Sequence, residues 1–150
     1  MPQSLSNIPV HITFSTKYRD PAITTDMREE LHAYMIGILR NLECKPFQVG
    51  GVEDHVHVLI QLSRKHSAAF VVEKLKSGST NWINGKWKDR NHFAWQAGYG
   101  AFGVGPGGVG PVIKYIQNQE EHHKTISFKE EFLQLLIENG IEFDERYLWD

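Results

Sequence analysis

The segment Gly50–Leu62, GGVEDHVHVLIQL, decides the fold of this chain. Apolar and polar residues alternate from His55 onward, and a period of two is typical of a β-strand. Successive side chains of a strand project to opposite faces, so His55 and His57 share one face while Val56 and the later apolar residues share the other. The segment therefore predicts a strand with one face in the core and the other available for polar side chains.

The same alternation extends to segments on both sides. Phe47–Gly51 and His55–Leu62 are predicted to pair as an antiparallel hairpin, joined around Glu53 and Asp54. Apolar and polar residues also alternate over residues 10–15, which predicts a further strand with one buried face.

Segments whose apolar residues have helical spacing lie between these strands. Asp26, with Glu29 three residues later, resembles a capping box and begins a predicted helix of about four turns. Ser67 begins a second helix, and Phe93–Phe102 is predicted as a fourth strand. This order of elements is the split βαβ of the ferredoxin-like fold, an α+β class. We expect a four-stranded antiparallel sheet with helices on one face and the other face free for function.

A glycine-rich stretch separates this unit from two further helices. Seven glycines lie within residues 98–110, so we expect regular structure to fail at about 103–110 and leave a flexible hinge. A helix over about 111–124 follows and carries Tyr115, and a last helix is predicted over about 127–139. The length of 150 residues fits one domain with both helices included.

The amino-acid composition excludes several classes of protein. A 41% hydrophobic, 23% charged chain is typical of globular proteins, and its apolar runs are far shorter than the roughly 20 residues that cross a bilayer. No signal peptide is recognisable, so we expect a cytoplasmic protein with no membrane partner. The single cysteine, Cys44, excludes a cysteine-based zinc finger, so that a metal must use histidine, carboxylate or amide ligands.

Charge is distributed unevenly along the chain. The net charge of −2 argues against nonspecific coating of nucleic acid. Residues 61–100, however, carry seven Lys or Arg against two acids, a local charge of +5. This basic region is a candidate nucleic-acid surface, although a solvated helix face is the plain alternative. The candidate DNA contacts are Lys74, Lys76, Lys86, Lys88 and Arg90.

His55 and His57 can share one cation because they lie on the same strand face. Neutral imidazoles suit zinc, manganese, iron or nickel. Nucleotide-binding histidine-triad proteins need another histidine where this chain has Leu59, so that class is excluded. Two histidines that merely fill an exposed sheet face are the plain alternative. A hydrolytic metal centre stays open, and three residues could add ligands to it: Asp54, Glu120 and His122.

Tyr115 and Gln119 are four residues apart, so their side chains lie on one helix face and can reach the same cation. A phenol with a pKa near 10 is a poor nucleophile unless a neighbouring cation favours its phenolate. An amphipathic helix with a tyrosine at an interface is the alternative. His123, four residues after Gln119, is a candidate auxiliary ligand, and His11 shares the sheet face of the histidine pair if the two strands are neighbours.

Six segments of the chain, spread from end to end, resemble one family: the single-tyrosine HUH transposases of small bacterial insertion sequences, the IS200-like type, with their relatives the REP-associated tyrosine transposases. The segments are HITFSTKYR (11–19), GGVEDHVHVLIQL (50–62), KLKSGSTNWI (74–83), WQAGYGAF (95–102), YIQNQEEHHK (115–124) and GIEFDERYLW (140–149). Two catalytic blocks in this order and at this spacing make the resemblance specific.

The resemblance implies a role for each matching residue. His55 and His57 correspond to the HUH metal ligands, Gln119 to the third ligand and Tyr115 to the nucleophile. It further implies a magnesium or manganese ion that polarises a phosphate of single-stranded DNA. The expected products are a 5′-phosphotyrosyl enzyme and a free 3′-hydroxyl, and Asp54 is a further auxiliary candidate beside the pair.

The resemblance also implies partners. These would be the DNA hairpins at the ends of a mobile element, gripped by the helix around Lys74 and Lys76, and a second copy of the chain whose tyrosine helix completes the histidine site. The chain departs from the family at Gly103 and Gly105, where Ser or Thr is expected, and this loosens the predicted hinge.

Two other functions remain open. The first is a domesticated or inactive module that binds single-stranded nucleic acid without covalent chemistry, using the basic helix and aromatic side chains. The second is a small metal hydrolase with a water nucleophile, which would keep its activity without the hydroxyl of Tyr115.

Overall fold

A four-stranded antiparallel sheet forms the centre of the structure, a computed structural model that describes residues 2–149. Its strands are β1 (Pro9–Ser15), β2 (Lys45–Val52), β3 (His55–Gln61) and β4 (Gly100–Gly103), in the order β2-β3-β1-β4. This is the α+β, ferredoxin-like arrangement predicted from the sequence. The hairpin of β2 and β3 around residues 53–54 is likewise confirmed.

Helices cover both faces of the sheet. The helices are α1 (Thr25–Asn41), α2 (Ala68–Lys86), α3 (Val109–Gln117), α4 (Gln119–His122) and α5 (Phe128–Glu138), with single 3-10 turns at 17–19, 106–108 and 145–147. The first two lie on one face, and the last three cover the face that was expected to be free. None of the helices within residues 2–149 has the length and apolar character needed to cross a membrane.

The alternating pattern of the central strands divides their side chains between two layers. Val56, Val58 and Ile60 of β3 join apolar residues of β1 in a core against α1 and α2. The opposite side chains of both strands are also buried, and they include His11, His55 and His57. β1 pairs with β3 so that Thr13 faces His57 and Ser15 faces His55. The predicted separation of apolar and histidine faces is therefore confirmed.

Two glycines of β2 allow close backbone contacts, Gly50 with the tyrosine-bearing helix α3 and Gly51 within the hairpin. A Cβ on Gly50 would lie 2.7 Å from Ile116 Cγ2 and 3.0 Å from the Ile116 carbonyl oxygen. Gly51 has φ +150°, and a Cβ there would lie 2.2 Å from the carbonyl oxygen of His55. Larger residues at either position would push α3 away or distort the hairpin.

The predicted fourth strand is wrong over residues 93–99, because only Gly100–Gly103 pair along β1 and an isolated bridge joins Thr16 to Trp95. Side chains satisfy the backbone of this loop instead. The Gln96 side-chain oxygen accepts from Ser15 N at 2.8 Å, and Lys76 Nζ donates to the carbonyls of residues 96, 97 and 98.

The hinge and the tyrosine helix also differ from expectation. Residues 106–108 form a 3-10 turn and α3 already begins at Val109, so regular structure does not fail throughout 103–110. The predicted single helix over 111–124 is divided at Asn118, whose φ of −99° and ψ of 20° are not helical. Tyr115 and Gln119 therefore belong to two successive helices, α3 and α4.

The ends of the other helices test the predicted caps. α5 is confirmed, with Ser127 as N-cap and a complete capping box to Glu130. Gly140, with φ +65°, terminates the helix in the left-handed conformation. The capping box predicted at Asp26 is wrong, since α1 begins at Thr25 and the Asp26 carboxylate accepts the hydroxyl of Thr24.

Replacing Lys76 with methionine is expected to destabilise the protein by about 1–3 kcal/mol, because three carbonyls of the 96–98 loop lose a charged donor. Lys74→Met is the matched control, since it removes the same charge from an exposed position of α2. Urea unfolding at neutral pH measures both. Equal losses for the two variants would contradict the structural role of Lys76.

Candidate metal and tyrosine site

His55 and His57 lie at the start of β3. Nδ1 of each imidazole contacts a residue that the sequence predicts as auxiliary. His55 Nδ1 lies 2.7 Å from Asp54 Oδ1, and His57 Nδ1 lies 2.8 Å from His11 Nε2. Burial, together with the charge of His57, lowers the pKa of His11 to about 3, so His11 is neutral near pH 7. These contacts fix both rings with Nε2 directed away from the strand.

The structure places Tyr115 and Gln119 beside this pair. Gln119 is buried, and its Oε1 lies 2.9 Å from His55 Nε2. The ring of Tyr115 lies with its centroid 5.6 Å from that of His57 in the same chain. The four residues singled out from the sequence thus meet at one place.

A buried glutamate that the sequence analysis missed lies at the centre of the cluster. Glu131 Oε1 is 2.9 Å from His57 Nε2, 3.2 Å from His123 Nε2 and 3.4 Å from His55 Nε2. Its second oxygen, Oε2, accepts the hydroxyl of Tyr115 and, at 3.1 Å, the side-chain amide of Gln119. One carboxylate therefore contacts both the imidazoles and the tyrosine.

The sequence does contain a signal for Glu131. Phe128, Phe132 and Leu135 follow the spacing of a buried helix face, and Glu131 occupies the remaining position of that stripe, at i+3 from Phe128. A carboxylate at such a position is buried in α5 and needs a partner. The position of Glu131 in this apolar stripe, rather than any sequence motif, identifies it as a candidate site residue.

Electrostatics within the cluster are strongly coupled. Burial, followed by the charge and hydrogen bond of Glu131, raises the pKa of the Tyr115 hydroxyl well above its ordinary value. Burial alone would raise the pKa of Glu131, but His123 and His57 outweigh it and hold that pKa well below its usual range. Glu131 is therefore an anion, and Tyr115 is held as a neutral phenol.

The donor atoms fit a cation. Asp54 and the carbonyl of Ile126 accept from Nδ1 of His55 and of His123, so both Nε2 atoms carry a lone pair when the rings are neutral. His123 Nε2 is buried and lies 3.2 Å from Glu131 Oε1. One ligand atom each from His55, His57, His123 and Glu131 lies within 4.8 Å of all the others. These four residues could hold a metal ion.

Two cavities give access to the cluster. One of about 460 Å³ is lined by Tyr115, Lys114, Pro111 and His122. Another of about 260 Å³ opens on the side of Gln119, next to Gly50 and Gly51 of β2. An extended ligand could therefore reach the cluster from either side of α3 and α4.

The five candidate DNA-binding residues lie on α2 or follow it. Lys86 pairs with Glu30 at 2.6 Å and Arg90 with Asp26 at 2.7 Å, whereas Lys74 and Lys88 are exposed. Lys76 binds the carbonyls of the 96–98 loop. Contact of these residues with DNA stays a prediction.

Solved structures of other proteins resemble this chain in fold. The chain resembles the crystal structure of a transposase candidate from Deinococcus radiodurans R1, with a TM-score of 0.62 and 20% identity over 79% of this chain and 98% of the other. It also resembles a REP-associated tyrosine transposase bound to a REP hairpin, with a TM-score of 0.62 and 12% identity over 84% of this chain and 74% of the other. At these identities the likeness concerns the fold.

Among curated proteins, none matches the sequence significantly. The sequence model of the family described as "Transposase IS200 like" matches residues 4–119, which include the histidine pair, Tyr115 and Gln119. Because that match covers well over half of the chain, the protein belongs to the IS200-like transposases, enzymes that cut and rejoin DNA.

Proposed function

We propose that this transposase cleaves and rejoins single-stranded DNA through a 5′-phosphotyrosine at Tyr115, with a divalent cation bound by His55, His57 and Gln119. The observation that carries the proposal is the meeting of Tyr115 with the buried imidazoles, where the hydroxyl and two Nε2 atoms all contact Glu131. Family membership supports the same chemistry.

Magnesium or manganese is the proposed cation. The anionic Glu131, on which the Nε2 atoms of His55, His57 and His123 converge, supports a cation in this place. When bound, the cation would polarise the scissile phosphate and stabilise the charge that develops on its oxygens. Because magnesium prefers oxygen ligands whereas transition-metal ions accept imidazole nitrogen, we expect manganese to bind more tightly than magnesium.

Tyr115 supplies the nucleophile of the proposed reaction. Its phenolic oxygen attacks the phosphorus, the bond to the 3′ oxygen breaks, and the proton lost by the phenol is balanced by the one gained at the released 3′-hydroxyl. The phosphotyrosine keeps a phosphodiester bond, so a 3′-hydroxyl can later attack it and rejoin DNA without a nucleotide cofactor. The contact of the phenol with Glu131 supports this role, because it would orient the hydroxyl for the attack.

DNA hairpins at the ends of a mobile element are the proposed partners, since one structural relative is bound to a REP hairpin. Arg90 binds Thr24 and Asp26 at the start of α1, and the adjacent Ile23 binds the carbonyl of Glu53 in the β2–β3 hairpin. Arg90 and its neighbour Lys88 could therefore hold a hairpin near the end of the sheet that carries His55. A homodimer is also proposed, although Tyr115 contacts the histidines of its own chain in this structure.

A metal hydrolase with a water nucleophile is the second candidate. The set His55, His57, His123 and Glu131 favours it, because three histidines and one carboxylate resemble hydrolytic metal centres. Such an enzyme would not need the Tyr115 hydroxyl. A domesticated module that only binds nucleic acid would need neither the metal nor the tyrosine.

Tyr115→Phe separates these functions. The protein and this variant are incubated with manganese and labelled single-stranded DNA from the ends of the element, and adducts are resolved on a denaturing gel. We expect a covalent DNA adduct with the unaltered protein and none with Tyr115→Phe, because the variant lacks the attacking oxygen. Cleavage by both proteins without an adduct would support the hydrolase, and binding without cleavage would support the binding module.

Lys88→Gln tests the proposed DNA surface. We expect weaker hairpin binding with little dependence on sequence, and a slope of log affinity against log salt that is smaller by about 0.9, because one phosphate contact is lost. Lys65→Gln is the matched control, since Lys65 follows the opposite end of β3 and pairs with Glu43. Equal effects of both variants on the salt dependence would contradict a local surface at Lys88.

A further inference from the structure

Glu131 and His123 both lie beyond residues 4–119, the segment that matches the family. His123 follows α4, and Glu131 projects from α5, where only 1% of the glutamate is exposed. Family membership therefore assigns neither residue a role. Both reach the metal-binding imidazoles because the turn over 123–127 brings α5 back across them.

The two oxygens of Glu131 have different neighbours. Oε1 faces nitrogen atoms of His57, His123 and His55 at 2.9, 3.2 and 3.4 Å. Oε2 faces the Tyr115 hydroxyl and the Gln119 amide instead. A carboxylate divided in this way can bind a cation with one oxygen and orient the tyrosine with the other.

Nitrogen and oxygen atoms from four side chains converge beside Glu131. Asp54 and the carbonyl of Ile126 accept from Nδ1 of His55 and of His123, so the Nε2 atom of each ring is the one directed at the carboxylate. One ligand atom each from His55, His57, His123 and Glu131 lies within 4.8 Å of all the others. The buried anion needs positive charge beside it, and a divalent cation among these atoms supplies that charge without a second proton on each ring.

We propose that His123 and Glu131 complete the metal centre of His55 and His57, and that Glu131 also holds the Tyr115 hydroxyl beside the bound cation. Glu131 is then a metal ligand through Oε1 and a positioning residue through Oε2. The metal site stands independently of the reaction, whereas the positioning role rests on the proposed function of Tyr115.

The donor set predicts which cation is preferred. Three imidazoles and one carboxylate match manganese, iron, cobalt or zinc better than magnesium, which takes oxygen ligands and keeps its water. A site of only two histidines and an amide would discriminate less between these ions. Preference for manganese over magnesium should therefore decrease when His123 is replaced.

An opposite role for Glu131 makes a different prediction. Its carboxylate lies between the imidazoles and the tyrosine, the position that a DNA phosphate would need in order to be attacked. If the carboxylate only occupied that place, its removal would leave cation affinity intact and speed the reaction. Metal affinity and adduct formation together distinguish a ligand from a blocking group.

The test compares the full chain with Glu131→Gln and His123→Asn, and uses Glu142→Gln, at an exposed position, as the matched control. Manganese binding is measured by calorimetry without DNA. We expect both site variants to bind at least about 10-fold more weakly, while the control is unchanged. Adduct formation at saturating manganese should also fall for Glu131→Gln, since the tyrosine loses its anchor while the metal site is filled.

Unchanged manganese affinity in Glu131→Gln, with equal or faster adduct formation, would overturn the proposal and favour the blocking role. Should that variant fail to fold, electron spin-echo modulation of the manganese-loaded native protein counts the bound imidazoles. Three would support the role of His123, and two would overturn it. If affinity depends on Glu131 but the native protein forms no adduct, the metal centre stands and the proposed function fails.

Discussion

One buried carboxylate contacts every other segment of the candidate metal and tyrosine site. Glu131 of α5 contacts His55 and His57 of β3, Tyr115 of α3 and Gln119 of α4. Burying a charge without partners costs several kcal/mol, so this helix is stable in its place only when the imidazoles and hydrogen-bond donors surround the anion. The position of α5 and the geometry of the site therefore depend on each other.

The sheet imposes the second constraint. Pairing of β1 with β3 places His11 behind His57, and the absence of a side chain at Gly50 lets α3 lie against β2. The backbone contact between α3 and β2 sets the distance of Tyr115 from the sheet. Glu131 sets the direction of the Tyr115 hydroxyl. Two restraints on one phenol would orient it for the proposed attack on phosphorus.

The sequence predicts the parts of the site that repeat with a simple period. Alternation in β3 and β1 identifies the histidine face, and the spacing of Tyr115 and Gln119 places them together even though a break at Asn118 divides their helix. The spacing survives because α4 restarts at once, with Gln119 as its first residue.

What the sequence does not predict depends on contacts between distant segments. Glu131 lies in an apolar stripe, and only the folded chain shows that imidazoles from β3 compensate its charge. The aromatic residues of the irregular loop before β4 predict a strand there, because aromatic side chains favour strands. Lys76 of α2 instead donates to three of the loop's carbonyls, and the side chain of Gln96 accepts from the backbone of Ser15 in β1.

These contacts also limit how two copies of the chain could share a site. An exchange that moved α3 alone would separate Tyr115 from Glu131 and leave the anion with fewer donors. An exchange that moved residues 104–138 as one block would keep Tyr115, Gln119 and Glu131 together and bring them to the histidines of the partner. Since the block preserves the contacts of the buried carboxylate, it is the less costly unit of exchange. Gly105 and Gly107, where nothing lies within 4 Å of an added Cβ, connect the sheet to this block.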